Sequence, residues 1–330
     1  MLKTLVVSLA LATGSLLVAA PAAANPVAPA ATVAAPSVAA APSPLLTPAE
    51  LKVLVSRPGV RVLDIRADKD YATGHIPGAV NTPYGKYRGP KENPGQLPTE
   101  AALSTLLQSA GVSADTHVVV VHGGTDHTDF GAAARVYWTL KVGGLTRLSI
   151  LDGGTKAWKA AGGALETAAA AVSPSQFSYR YDQDQIVTRE ELATAIKSGS
   201  APLLVDARPQ KFFGGEARAD ASARYGTLPG ASSFDNAQFF PKDGTMLKSG
   251  SELKALVQRS GAADAPAVSF CNTGHWAATN WFVMSEIAGN KQVKLYPESI
   301  VEWSKAELPM DNQPSRISAL VQDVKRSFSN

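Results

Sequence analysis

The sequence predicts an α/β protein in which one domain pattern occurs twice, each copy an open, mostly parallel sheet with helices on both faces. Matching segments recur about 140 to 150 residues apart. Apolar strand segments alternate with helical segments in both copies, which is typical of parallel sheets joined by crossover helices. The central strands are apolar without alternation, as expected where both faces of a sheet are buried.

Each copy is predicted to open with a helix and a short strand. Thr47 and Thr188 each stand three residues before a glutamate, the capping-box pattern that begins a helix. Each helix leads into an apolar strand that ends in Asp-x-Arg, at 64–66 and at 206–208. A Pro-Gly-Ala turn follows in both copies.

The second part of each copy is predicted to contain a helix, a buried strand, a long helix, a further strand and a closing helix. The buried strands are Val118 to Val121 and Ala267 to Phe270. Ligands of open parallel sheets bind outside the carboxyl ends of the strands. The segments that follow Val121 and Phe270 are therefore the predicted functional loops.

The chain ends are predicted to lie outside the two domains. Lys3, the apolar run after it and the small residues before Asn25 are typical of a secretory signal, and the run is too short to span a bilayer. The predicted segments are a signal peptide at 1–24, an Ala- and Pro-rich linker at 25–45, a first domain at 46–168, a second domain at 180–310 and a C-terminal tail at 311–330. We therefore expect a periplasmic or secreted protein without a membrane span.

The balance of charged residues and the number of cysteines limit the partners and the chemistry expected of this chain. The chain has 31 basic and 28 acidic residues, and no stretch concentrates Lys and Arg with aromatic residues, so nucleic acid is not an expected partner. Cys271 is the only cysteine, which excludes an internal disulfide and leaves a free thiol. That thiol is either buried and inert or reactive. The residues around Cys271 must distinguish between these two alternatives.

Two motifs of the first copy carry a resemblance to a known family. Residues 71–79 place an aromatic residue four positions before His75, which is followed by Ile-Pro-Gly-Ala. Residues 151–154 read Leu-Asp-Gly-Gly and precede Trp158. In this order, and after an Asp-x-Arg strand, they resemble the N-terminal and C-terminal signatures of the rhodanese family. The resemblance implies two rhodanese-like domains.

The second copy matches the family less closely but holds the cysteine. Thr227 stands where His75 stands in the first copy, while Cys271 ends the strand at the position of the family nucleophile. His122 occupies the matching position of the first copy. The resemblance therefore implies an inactive first domain and a catalytic second domain.

The loop that begins at Cys271 has the features of an anion cradle. It lies between a buried strand and a helix that starts near Ala277, and Gly274 permits the positive φ that such a loop needs. Loop N–H groups and the helix N-terminus favour a thiolate and an anionic persulfide. The related Cys-x5-Arg phosphatase loop is disfavoured because Ala277 stands at the position of the arginine.

The resemblance implies a thiosulfate sulfurtransferase that moves sulfane sulfur to a thiophilic acceptor such as cyanide or a thiol, through a Cys271 persulfide and without a cofactor. Two alternatives are a 3-mercaptopyruvate sulfurtransferase and a persulfide carrier that does not turn over. Besides catalytic Cys271, the predicted substrate-binding residues are Asn272, Thr273, Gly274, His275, Trp276 and Lys211, and the predicted supporting residues are Asp206 and Arg208.

A negatively charged donor such as thiosulfate is expected to bind next to a positively charged side chain, and the Cys271 loop contains no lysine or arginine. Thiosulfate-specific relatives carry cations in this loop, whereas here only His275 could contribute charge, when protonated. The position of the family's substrate-binding arginine holds Phe212, with Lys211 beside it. Lys211 and protonated His275 are therefore the predicted anion site, and KM for thiosulfate is expected to fall between about pH 7.5 and 6. No metal site is predicted, because the His and Asp residues at 122–129 match no established ligand spacing.

Overall fold

The computed structural model describes Leu2, Ala10, Gly14 and residues 41–327. The predicted signal peptide and nearly all of the linker lie outside the described residues. The residues from Ala41 onward form one structural unit. Within the described residues, no helix combines the length and the apolar character needed to cross a membrane.

The first copy contains a parallel sheet of five strands in the order β1-β5-β4-β2-β3. Its strands are β1 (Leu45–Leu46), β2 (Val60–Asp64), β3 (Val80–Asn81), β4 (His117–Val121) and β5 (Leu148–Leu151). Its helices are α1 (Pro48–Leu54), α2 (Asp68–Ala72), α3 (Glu100–Ser109), α4 (His127–Val142) and α5 (Gly154–Ala160), with a 3-10 turn at Tyr84–Tyr87.

The second copy repeats this arrangement with four parallel strands in the order β7-β6-β8-β9. Its strands are β6 (Leu203–Asp206), β7 (Ser232–Ser233), β8 (Ala267–Phe270) and β9 (Val293–Leu295). Its helices are α6 (Arg189–Ser198), α7 (Gln210–Phe213), α8 (Gly250–Ser260), α9 (Trp276–Phe282, extended by a π-helical turn at Val283–Ile287), α10 (Ser299–Lys305) and α11 (Arg316–Ser327), with 3-10 turns at Gln183–Gln185 and Asn236–Phe239.

The predicted doubly covered parallel sheets are confirmed. Both capping boxes form, at Thr47 and Thr188. In β4, Val118 and Val120 pack with α3 and α4, while the alternate residues of the strand pack with α1 and α5. The short strands β3 and β7 were not predicted. Leu45, assigned to the linker, instead pairs with Ile150 as part of β1.

The predicted C-terminal tail contains α11. Asp323 fixes this helix to the second copy by accepting hydrogen bonds from Arg218 and from the Tyr225 hydroxyl. Ile317 and Leu320 remain exposed on its apolar side.

The two copies share one hydrophobic core, which positions the functional loop. Helices α4 and α9 pack against each other, with the Phe282 ring 5.8 Å from Phe130 and 5.1 Å from Tyr137. This shared core also contains Cys271. The end of β8 therefore lies on the side of the second sheet that faces the first copy.

Candidate active site

The backbone of the Cys271 loop is fixed by the start of α10. Cys271 directly follows β8, and its side chain is buried. The N–H groups of Cys271 and Gly274 both donate to Ser299 Oγ, at 3.1 and 3.2 Å, and that hydroxyl donates to the Tyr296 carbonyl at 2.8 Å. The N–H of Ile300 donates to the Cys271 carbonyl at 3.1 Å. These bonds hold both ends of the loop in place.

The remaining N–H groups of the loop have no hydrogen-bond partner among the described residues. Gly274 has a φ of +67°, as the sequence predicted, and this conformation lets the chain turn sharply into α9. Among the residues that the structure describes, no acceptor lies within hydrogen-bond reach of the N–H groups of Asn272, Thr273, His275 and Trp276. These donors are available to an anion bound at the loop.

Arg135 of the first copy holds the Cys271 loop by donating hydrogen bonds to its backbone carbonyls. Its guanidinium is fully buried and donates from Nη1 to the carbonyls of Gly274, Thr273 and Pro297, at 3.2, 3.3 and 3.4 Å. Its Nη2 donates to the Gly95 carbonyl at 2.9 Å. Burial, and then the positive charge of Arg88, lower the pKa of Arg135 to about 9, which still leaves it charged near neutral pH.

A second cation of the first copy reaches the same loop. Arg88 follows the 3-10 turn at Tyr84–Tyr87, and its Nη2 donates to the Thr273 carbonyl at 2.9 Å. Its Nη1 is buried and has no hydrogen-bond partner. Within the described part of the chain, neither Arg88 nor Arg135 forms an ion pair with a carboxylate. Because a buried cation without a counter-charge is costly, the site favours a bound anion.

An ion pair of the second copy, between Arg208 and Asp206, contacts the Cys271 loop through Asn272. Arg208 contacts both carboxylate oxygens of Asp206, at distances from 2.6 to 3.1 Å, and donates to the Gly226 carbonyl at 2.8 Å. Its Nη1 donates to Asn272 Oδ1 at 3.2 Å. Thr227 completes the group by donating to Asp206 at 2.7 Å. The Asn272 side chain is thus oriented by Arg208.

The corresponding loop of the first copy holds its own carboxylate. The N–H of Thr155 donates to the His122 carbonyl at 2.8 Å, just as Ile300 donates to Cys271, so His122 matches Cys271 in space. Asp129 Oδ2 accepts from the N–H groups of Gly124 and Thr125, at 2.6 and 3.1 Å, and lies 2.9 Å from His122 Nδ1. This loop geometry therefore binds an anion through backbone N–H groups.

The pKa of Asp129 agrees with the assignment of the first-copy loop as an anion-binding loop. Burial alone would raise the pKa of Asp129, but the hydrogen bonds from His122, Thr125 and Gly124 outweigh it and hold this pKa below the usual range. Among residues 41–327 and the three described positions before them, no group of three or more His, Cys, Asp and Glu side chains could hold a metal ion.

Comparison with known proteins identifies the family. The model of the rhodanese-like domain matches residues 47–161 and 188–306. The chain belongs to the rhodanese family. A Mycobacterium tuberculosis protein provisionally named thiosulfate sulfurtransferase SseB is 32% identical over 282 residues, which cover 79% of this chain and 93% of the relative. The thiosulfate sulfurtransferase of Cricetulus griseus is 30% identical, covering 74% and 85% of the two chains.

A mercaptopyruvate enzyme is also similar. The 3-mercaptopyruvate sulfurtransferase of Escherichia coli is 26% identical, covering 78% of this chain and 94% of that protein. The crystal structure of the Escherichia coli 3-mercaptopyruvate sulfotransferase SseA shares the fold with a TM-score of 0.67 at 23% identity, covering 78% and 99% of the two chains. The relatives' names support sulfur transfer, and Cys271 is the only cysteine of this chain.

The positive charge predicted for His275 is not present in this chain near neutral pH. His275 Nε2 lies 2.7 Å from the Thr128 carbonyl, which can only accept, so Nε2 carries the proton. Nδ1 then accepts from the Tyr84 hydroxyl at 2.7 Å. Burial, followed by the charge of Arg88, lowers the pKa of His275 to about 4. The ring is therefore neutral where a histidinium was expected, and it joins the two copies, while a contact between His275 and the donor stays a prediction.

This assignment changes the expected pH dependence. Between about pH 7.5 and 6 the His275 ring stays neutral, so KM for thiosulfate should show no decrease due to histidine protonation. The unfolded chain takes up this proton near pH 6.5 and the folded chain only near pH 4, so the free energy of unfolding should fall as pH drops through that window. Denaturant titrations of the native chain and of His275→Gln measure the difference. A KM that falls with pH in the native chain but not in His275→Gln would restore the cationic role.

Lys211 and Trp276 both lie near the Phe212 ring. The Lys211 side chain is exposed, with Nζ 5.5 Å from the centre of the Phe212 ring. The Trp276 ring is partly buried, lies 6.0 Å from Phe212 and donates from Nε1 to Thr128 Oγ1 at 3.2 Å. Trp276 is the first residue of α9. Substrate contacts by Lys211 and Trp276 stay predictions.

The sequence analysis missed four residues that shape this site, namely Tyr84, Arg88, Arg135 and Ser299. Three of them come from the first copy, which the resemblance implied to be inactive. Arg135 did carry a signal, because it is a lone cation within an apolar helical run. Ser299 stands where the family signature of the first copy has Gly154 and adopts a positive φ of 57°.

Proposed function

We propose that this protein is a thiosulfate sulfurtransferase that carries sulfane sulfur as a persulfide on Cys271 and passes it to a thiophilic acceptor such as cyanide. One observation carries the proposal. The Cys271 loop combines open backbone N–H groups with two cations, Arg88 and Arg135, that have no carboxylate partner in the described chain. Such a site suits a dianionic donor and an anionic persulfide. The names of the Mycobacterium tuberculosis and Cricetulus griseus relatives agree with thiosulfate as donor.

The reaction has two displacement steps at sulfur. The Cys271 thiolate attacks the outer sulfur of thiosulfate, the sulfur–sulfur bond of the donor breaks, and sulfite leaves with the electron pair. The outer sulfur of the resulting persulfide is then attacked by the acceptor, and the Cys271 thiolate leaves. With cyanide the product is thiocyanate. Both steps balance without a metal, a cofactor or an external redox partner.

A second donor is favoured by a different observation. The side chains of Asn272 and Thr273 are uncharged, as the resemblance implies for mercaptopyruvate-using relatives, and one relative is named 3-mercaptopyruvate sulfurtransferase. This donor would also leave a persulfide on Cys271, with pyruvate as the other product.

Intact-mass measurement of the purified protein after exposure to each donor tests the proposal. We expect thiosulfate to add one sulfur atom to Cys271 and cyanide to remove it with formation of thiocyanate. A gain from 3-mercaptopyruvate alone would select the second donor. A stable gain that cyanide does not remove would indicate a persulfide carrier, and no gain from either donor would overturn both proposals.

We also propose that the protein is exported. The support is the signal-like composition of residues 1–24, which lie almost wholly outside the described part of the structure. Cell fractionation with sequencing of the mature N-terminus tests this. An unprocessed protein in the cytoplasmic fraction would contradict export.

A further inference from the structure

We infer that Arg88, a residue of the first copy, binds the sulfonate end of the sulfur donor at Cys271. The inference rests on the proposed function and names the residue that selects a dianionic donor. It gives the first copy a direct part in substrate binding, although that copy holds no cysteine.

The Cys271 loop carries no lysine or arginine of its own. Asn272 and Thr273 are neutral, and the His275 ring is an uncharged link between Tyr84 and Thr128. Arg208 is neutralised by its ion pair with Asp206. Apart from exposed Lys211, whose contact with a donor stays a prediction, the unpaired cations among the described residues of the site come from the first copy and reach the loop directly.

Two such cations reach the loop. Each has a buried nitrogen without a hydrogen-bond partner, Nε in Arg135 and Nη1 in Arg88, but only in Arg88 is it a terminal nitrogen of the guanidinium. Arg135 is enclosed by carbonyls, and both its terminal nitrogens already donate to Gly274, Thr273, Pro297 or Gly95. It neutralises the loop's carbonyl dipoles and holds the loop in shape. Arg88 uses Nη2 for the Thr273 carbonyl and leaves Nη1 buried without any partner.

An unpartnered buried guanidinium nitrogen is costly unless a ligand satisfies it. The planar arginine fork matches the oxygen spacing of sulfonate-like groups, so Nη1 provides a charge-assisted hydrogen bond to the donor. Thiosulfate presents such oxygens on the sulfur that leaves as sulfite. The free nitrogen therefore fits the end of the donor that is not transferred.

The position of Arg88 is fixed relative to the nucleophile. Its hydrogen bond ends on Thr273, two residues after Cys271, and its Cζ lies 5.3 Å from the centre of the Tyr84 ring. The Tyr84 hydroxyl is in turn held by His275 at 2.7 Å. The guanidinium is thus clamped between the loop and the 3-10 turn of the first copy, which limits the entropy lost when a donor binds.

Arg88→Gln separates the charge from the contact with the loop, because an amide can still donate to the Thr273 carbonyl. Persulfide formation in a single turnover is measured by intact mass against the concentration of two donors, thiosulfate and the monoanion methanethiosulfonate. We expect the half-saturating concentration of thiosulfate to rise about 10- to 100-fold, and that of methanethiosulfonate to rise less. Sulfate, a dianion without sulfane sulfur, should lose potency as a competitor by a similar factor.

Arg180→Gln is the matched control, because it removes one positive charge from an exposed position whose ion pair is with Glu100. This variant should bind thiosulfate like the native chain. Equal losses for both donors in Arg88→Gln, together with a lower unfolding midpoint, would show a structural role and overturn the inference. Unchanged thiosulfate saturation would also overturn it. If the native chain gains no sulfur from thiosulfate, thiosulfate is not the donor and the proposed function is contradicted. This result needs only the native chain, so it is distinct from a failure of the inference about Arg88.

Discussion

Cys271→Ser is expected to abolish persulfide formation and to reduce thiocyanate production by a factor of at least about 10⁴, as for loss of a catalytic nucleophile. The chain contains no other cysteine that could take over sulfur. The hydrogen bonds that fix residue 271 run through its backbone, from its N–H to Ser299 Oγ and from the Ile300 N–H to its carbonyl. Serine keeps them, so the loop should retain its shape.

The measurement combines steady-state thiocyanate production with intact mass after thiosulfate exposure. Unfolding midpoints of the native and variant chains provide the control for folding, and they should be similar. Turnover near the native level in a folded Cys271→Ser protein would remove Cys271 from the mechanism.

Gly274→Ala is expected to destabilise the protein and to reduce kcat/KM strongly. A side chain at a positive φ costs about 1 to 2 kcal/mol. The added Cβ would also overlap Arg135 Nη1 and the Pro297 carbonyl, so the loop must shift away from its support. Such overpacking adds about 1 to 3 kcal/mol to the loss in the free energy of unfolding. Displacement of the N–H groups beside Cys271 should reduce kcat/KM about 100-fold.

The chain offers a matched control for backbone strain. Gly230 has a φ of +73°, and a Cβ there would meet no atom within 4 Å. Gly230→Ala should therefore lose only about 1 to 2 kcal/mol and retain its kcat/KM. Denaturant unfolding and thiocyanate assays on both variants measure the difference. If Gly274→Ala behaves like Gly230→Ala, the contact between the loop and Arg135 does not control the site.

The sequence by itself determined the architecture and the place of Cys271 at the end of a central strand. Capping boxes at Thr47 and Thr188 begin their helices because a threonine and a glutamate three residues later satisfy local N–H groups. The unalternating runs before His122 and Cys271 become central parallel strands because both of their faces are buried. These effects depend on residues close together in the chain. For that reason the fold, the duplication and the place of Cys271 at a strand end could be predicted.

Only the tertiary structure decided the charge of the site. Tyr84 lies 191 residues from His275 in sequence, yet their hydrogen bond, together with burial, keeps the histidine neutral. Arg88 and Arg135 reach the Cys271 loop only because α4 and α9 pack across the shared core of the two copies. Burial and long-range contacts set the protonation and pairing of these groups, and neither follows from local periodicity. The first copy, which the sequence indicated as an inactive repeat, therefore supplies positive charge beside the nucleophile of the second.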